Sequence, residues 1–164
     1  GSFGRAVDTL RDMGLDETIR NFIANERPFL GICVGMQVMM EEGLEFGTHK
    51  GLGLFKGKVV KIDVTDHSGA KLRVPLIGWN TPVPTFAGRW EGTSFAAAPP
   101  QTDYYFVHSF EVQADNPKDV AATVPVGTGH VTAAIHRDNV MGVQFHPERS
   151  AAGGQAFLKG FMSL

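Results

Sequence analysis

Apolar and polar positions alternate with a helical period at the start of the chain. Ala6, Val7, Leu10 and Met13 fall on one face, and Gly14 suits the position just past a helix end. A second amphipathic segment follows, with Ile19, Phe22 and Ile23 on one side, Asp16 as N-cap, and Asn25 and Pro28 as the stop. Phe29, Leu30 and Ile32 then form the short apolar run of a buried strand, and Val38-Met39-Met40 continues as a buried helix. Glu41 to Gly47 is acidic and punctuated by glycine, the pattern of a solvated helix end leading into a loop. Gly51 to Phe55 reads as a turn or short strand.

Beyond this the pattern turns to strands. Lys58–Val64 places Val60, Ile62 and Val64 on one face, and Asp66-His67-Ser68-Gly69 is a turn. Leu72–Ile77 is apolar but interrupted by Pro75. Pro82–Thr102 is loop-like, with Phe86 and Trp90 expected at the surface. Tyr104–Phe110 and Val120–Val124 are strand-prone, and Val131–His136 and Val140–Phe145 flank Arg137-Asp138-Asn139 as a hairpin. Ala156, Phe157, Leu158 and Phe161 close the chain on a helix. The order predicts an α/β fold with helices on both faces of a sheet. The Phe29–Ile32 strand is expected inside that sheet, with the site at its carboxyl end.

A chain of 164 residues is long enough for one domain with a real core, here taken as 1–164. Fifteen basic and seventeen acidic side chains give a net charge of −2 without a basic block, which argues against a nucleic-acid partner. No apolar run reaches membrane-spanning length, and neither a membrane partner nor a signal peptide is expected. The single cysteine cannot form an internal disulfide, which fits a reducing, cytoplasmic setting. No Cys-x-x-Cys or His-Glu-x-x-His motif calls for zinc, and no metal or cofactor is expected. Gly1-Ser2 reads either as a cloning scar or as a native loop entered midway.

The lone Cys33 stands at the centre of Gly31-Ile32-Cys33-Val34-Gly35, the sulfur counterpart of a Gly-x-Ser-x-Gly elbow. A strand turning sharply into a helix leaves the central side chain exposed above the sheet. The Val34 N–H falls in the first helical turn, where it favours a thiolate and offers a donor to a developing oxyanion. By itself Cys33 reads equally as a small core hydrophobe. His146-Pro147-Glu148 decides between the two. Pro147 biases His146 towards an extended backbone, in which residues i and i+2 point the same way, so imidazole and carboxylate can leave a strand end together. A carboxylate that fixes the tautomer of an imidazole poised over a thiol is a nucleophile's support. His49, His67 and His130 read as surface residues, and His136 ends a strand without a role of its own.

Gly31-Ile32-Cys33-Val34-Gly35-Met36-Gln37 and Gln144-Phe145-His146-Pro147-Glu148 resemble the signature of class I, triad-type glutamine amidotransferases. Gly78-Trp79-Asn80, Tyr105-Phe106-Val107-His108-Ser109 and Gly142 to Ser150 resemble, within that family, the glutaminase subunits of imidazole glycerol phosphate synthases in histidine biosynthesis. The resemblance implies a flavodoxin-like α/β sheet and catalysis by Cys33, His146 and Glu148. It implies glutamine and oxyanion contacts from Val34, Gly35, Gln37, Glu45 (twelve positions after the cysteine) and the backbone of His108, Ser109 and Phe110. It implies a heterodimer in which Trp79, Asn80, Tyr105 and Arg149 face a cyclase subunit folded as a (β/α)8 barrel, which receives the ammonia. Family members begin well upstream, so the resemblance also implies that N-terminal strands, and a loop giving the second oxyanion donor, are missing from this sequence. Another triad amidotransferase, or a subunit that only binds a partner, stays open at this point.

Overall fold

The computed structural model describes residues 2–164; Gly1, read with Ser2 as a cloning scar or a loop entered midway, lies outside the described residues. The two amphipathic stretches are helices α1 (Phe3–Asp12) and α2 (Leu15–Ala24), hinged at Gly14 in the left-handed conformation. Strand β1 (Phe29–Ile32) runs into Cys33, and α3 (Val34–Val38) follows immediately. Strands β2 (Met40–Gly43), β3 (His49–Lys50) and β4 (Phe55–Lys61) come next. Then come β5 (Leu76–Asn80), β6 (Val83–Pro84), β7 (Tyr104–His108), β8 (Phe110–Ala114) and β9 (Val120–Val126). The hairpin β10 (Gly129–Arg137) and β11 (Val140–Val143) leads to the terminal helix α4 (Ala151–Phe161).

A five-stranded sheet has the order β1-β11-β10-β9-β6, a four-stranded sheet the order β3-β2-β4-β8, and β5 and β7 form a ribbon. The large sheet divides the core. Phe3 and Val7 of α1 and Met36 of α3 pack on one side with Met39, Phe55, Ile135 and Val140. Phe157 of α4 packs on the other with Phe95, Tyr104, Phe106, Phe145, Met141 and Val143. Helices therefore cover both faces, as the pattern predicts. The aromatic rings on the α4 side meet mostly edge to face, the arrangement their quadrupoles favour.

Several local expectations need correction: α2 is capped at Gly14, which puts Asp16 inside its first turn, and the strand expected over Leu72–Ile77 is formed as Leu76–Asn80. Strand β1 lies at the edge of its sheet, paired among the described residues with β11 alone. Its burial fits that place: only Gly31 of the four residues is fully buried. The helix after the cysteine is five residues long, and Met40–Gly43 is a strand because its backbone pairs parallel to β4. In β4 the face buried against α1 and α3 carries Phe55, Gly57 and Val59, while Ile62, just past its end, reaches the opposite core. Trp90 is not a surface residue: it stacks on Phe95 at 4.4 Å between ring centres, and its indole N–H donates to the Ala121 carbonyl at 3.0 Å.

One pairing positions the site. Strands β1 and β11 run parallel, with Ile32 opposite Val143. Parallel neighbours end on the same side, so the residues just past both strands come together there. The Cys33 N–H donates to the Val143 carbonyl at 2.8 Å and closes the pairing at that end.

Candidate active site

Cys33 sits at the apex of the turn with φ 54 and ψ −113, outside the regions a side-chain-bearing residue prefers. The surrounding backbone holds it there. A Cβ on Gly31 would stand 2.6 Å from the Gly35 carbonyl oxygen, so this glycine is required by the close approach of strand and helix. A Cβ on Gly35 would meet nothing within 4 Å, so of the two elbow glycines only the first answers to crowding. Burial pushes the Cys33 thiol up, while the Val34 N–H and the Gln144 amide act in the opposite sense.

His146 follows β11 with an extended backbone, and Pro147–Arg149 forms one turn of 3₁₀ helix. That turn, rather than a continuing strand, brings Glu148 under the ring. His146 Nδ1 and Glu148 Oε1 are 2.6 Å apart. A carboxylate oxygen accepts, so Nδ1 carries the proton and Nε2 is left free. The backbone of His146 is tied on both sides. Its N–H donates to the Tyr105 carbonyl at 2.9 Å, and its carbonyl accepts from Ser150 Oγ at 2.6 Å. Ser150 Oγ in turn accepts from the Tyr105 N–H at 3.0 Å.

A cavity of about 460 Å³ is lined by Cys33, Val34, Gln37, Glu45, His108, Ser109, Phe110 and His146, with Ile32, Pro75 and Val107 completing the wall. The sequence-predicted triad and substrate residues thus converge, Glu148 from behind the ring; Gly35 is not part of the wall. The sulfur and the imidazole face one cavity, and each has its own side-chain partner: Gln144 Nε2 lies 3.6 Å from Sγ, and Glu148 holds the ring.

Glu45 lines the cavity while its Oε2 accepts from the Phe3 N–H at 2.7 Å, capping α1 from a distance of 42 residues in sequence. Gln37, 7% exposed, donates from Nε2 to the Phe110 carbonyl at 3.2 Å and to Gln144 Oε1 at 2.9 Å. Both its amide hydrogens are thereby engaged, which leaves its oxygen as the group available to a ligand. His108 donates from Nδ1 to the same Phe110 carbonyl at 2.8 Å. Burial pulls the pKa of His108 down, opposed by that hydrogen bond and assisted by the nearby His146, while its buried Nε2 has no partner among the described residues.

Sequence reading passed over three contributors. Gln144 enters from the sequence only as part of a motif, although an amide set between apolar Val143 and Phe145 is itself a signal, and the structure buries it fully. The side chain of His108, as distinct from its backbone, and the wall residue Pro75 were also missed; nothing in the local pattern brings Pro75 to this cavity.

Three of the four residues expected to face a partner, Trp79, Tyr105 and Arg149, share one surface. Trp79, 53% exposed, meets Tyr105 edge to face across the β5–β7 ribbon, and the Arg149 guanidinium lies 4.6 Å from the Tyr105 ring centre. Asn80 closes β5 opposite the buried Tyr104, one position on from Trp79, and so falls on the other face of the ribbon.

The family model for class-I glutamine amidotransferases matches residues 11–163, and the chain belongs to that family. It is 40% identical over 161 residues to a Rhodopirellula baltica protein named imidazole glycerol phosphate synthase subunit HisH, covering 98% of this chain and 74% of that one. It is 42% identical over 163 residues to a protein of the same name from Trichormus variabilis, covering 99% of this chain and 74% of the relative. Among solved structures, PurLQS from Thermotoga maritima shares the fold with a TM-score of 0.63 at 17% identity, over 91% of this chain and 67% of that one. No helix among the described residues is long and apolar enough to cross a membrane.

Proposed function

We propose that this chain is the glutaminase subunit of an imidazole glycerol phosphate synthase, releasing ammonia from glutamine for a partner cyclase subunit. The observation that carries this reading is the meeting of the Cys33 elbow and the His146–Glu148 pair on one cavity. The names of relatives 40% and 42% identical over nearly the whole chain supply the particular synthase.

The chemistry follows from the atoms. Nε2 of His146 takes the thiol proton, and the Cys33 sulfur attacks the side-chain amide carbon of glutamine. The oxygen that becomes negative in the tetrahedral intermediate is met by the Val34 N–H. The C–N bond breaks as His146 returns its proton to nitrogen, ammonia leaves, and a glutamyl thioester remains on Cys33. Water, deprotonated by the same Nε2, attacks the thioester; glutamate leaves and the thiol regains the proton. Glu148 keeps the proton on Nδ1 and stabilises the imidazolium between transfers. Gln37, through its unengaged oxygen, accepts from the substrate ammonium, and the second carboxylate oxygen of Glu45 pairs with the same group. Trp79, Tyr105 and Arg149, with Asn80 at the end of β5, are the docking site for a (β/α)8-barrel cyclase.

The test is ammonia release from glutamine with and without the cyclase and its nucleotide ligand. Glutamine hydrolysis that rises strongly on addition of the barrel is expected. Stimulation by a different synthase would reassign the partner. Failure of a glutamine-like electrophile to label Cys33 would remove the enzymatic reading.

A further inference from the structure

We propose that Gln144 is a positioning residue for the nucleophile: its side-chain amide aims an N–H at the Cys33 sulfur and is held that way round by Gln37. The proposal rests on Cys33 being the nucleophile of the glutaminase argued above.

A primary amide has two unlike ends, and its orientation decides what it offers a neighbour. Here the oxygen end is fixed, because Gln37 Nε2 donates to Gln144 Oε1 at 2.9 Å. The nitrogen end therefore faces the sulfur, at 3.6 Å. Turning the amide over would set two NH2 groups against each other and an oxygen against a sulfur that must become negative. Gln37 is prevented from turning in its own right, since it also donates to the Phe110 carbonyl at 3.2 Å, the carbonyl that receives His108 Nδ1–H. Donation thus runs one way from Gln37 through Gln144 to the sulfur, with the other amide hydrogen of Gln37 anchored on the Phe110 carbonyl.

Gln144 is wholly buried, and its backbone N–H is held by the Ala133 carbonyl at 2.8 Å. It does not line the cavity, so it acts through the sulfur and not by touching substrate. An N–H bonds more strongly to a thiolate than to a thiol. The amide therefore shifts the balance towards the reactive form at a site where burial opposes it.

The experiment reads the thiol directly. Cys33 is the only cysteine in the sequence, so its alkylation by iodoacetamide as a function of pH reports its ionisation alone. In Gln144→Met, similar in length but without a donor, the midpoint of that curve is expected to rise by about one pH unit or more. An unchanged midpoint in a variant with native near-ultraviolet circular dichroism overturns the proposal. Should Gln144→Met not fold, nuclear magnetic resonance of the unmodified protein decides. The side-chain amide protons of Gln144 are expected to shift along the alkylation curve and to lose that pH response in Cys33→Ser. Amide resonances that ignore the thiol overturn the proposal equally. Neither measurement requires turnover. A protein that hydrolyses no glutamine even with the cyclase present, yet whose thiol still answers to residue 144, refutes the glutaminase reading and leaves only the contact between Gln144 and the thiol standing.

Discussion

At the scale of single residues the site separates groups that react from groups that hold them. Cys33→Ala is expected to abolish ammonia release while leaving the fold intact, checked by a glutaminase assay beside circular dichroism. Glu148→Gln puts an amide in place of the carboxylate that fixes the Nδ1–H tautomer; a fall in turnover of about 10²–10⁴-fold is expected, at nearly unchanged stability. His108 makes a prediction in pH. Burial lowers its pKa in the folded chain from the ordinary 6.5, so the unfolded chain takes up the proton first on acidification. Its contribution to stability is complete above about pH 6.5 and is lost as the pH falls through the folded value. Urea midpoints measured from pH 7.5 to 5 should therefore fall less steeply in His108→Asn than in the parent. His136, whose pKa burial also lowers, leaves a residual slope in both.

At the scale of elements, what matters is how strand ends and turns are fastened. Gly31→Ala drives a methyl group into the Gly35 carbonyl and is expected to destabilise by about 1–3 kcal/mol, whereas Gly35→Ala, with open space around it, should stay within about 1 kcal/mol of the parent in chemical denaturation. Ser150→Ala strands the Tyr105 N–H and the His146 carbonyl; a loss of about 1–3 kcal/mol and a turnover that drops more than the stability accounts for are expected. Much at this level was legible in advance. The α1 and α2 stripes, the elbow and the β10–β11 hairpin all follow from spacing, because each is set by neighbours close in sequence. What was not legible depended on distant partners. Met40–Gly43 looks like a helix end until β4 pairs with it, and Trp90 looks exposed until Phe95 and the Ala121 carbonyl receive it. Glu45 reads as a solvated carboxylate unless one knows that Phe3 lies beside it; only the family resemblance pointed it towards the cavity.

At the scale of the whole molecule, the cavity and the Trp79 surface share the β5–β7 ribbon: His108 ends β7 at the cavity wall, while Trp79 and Tyr105 stand on the exposed side. If the proposed cyclase barrel is the partner, Trp79→Ala is expected to weaken its binding by about 2 kcal/mol or more, measured by calorimetry; an unchanged affinity would overturn the proposed docking face. The pairing of β1 with β11 has a consequence of its own. The thiol and the imidazole ride on the two sides of a seam only four residue pairs long. Short pairings open before cores melt. Warming should thus silence the enzyme while its aromatic interior is still intact, and deuterium should enter at the Cys33 amide sooner than at the amides of β10.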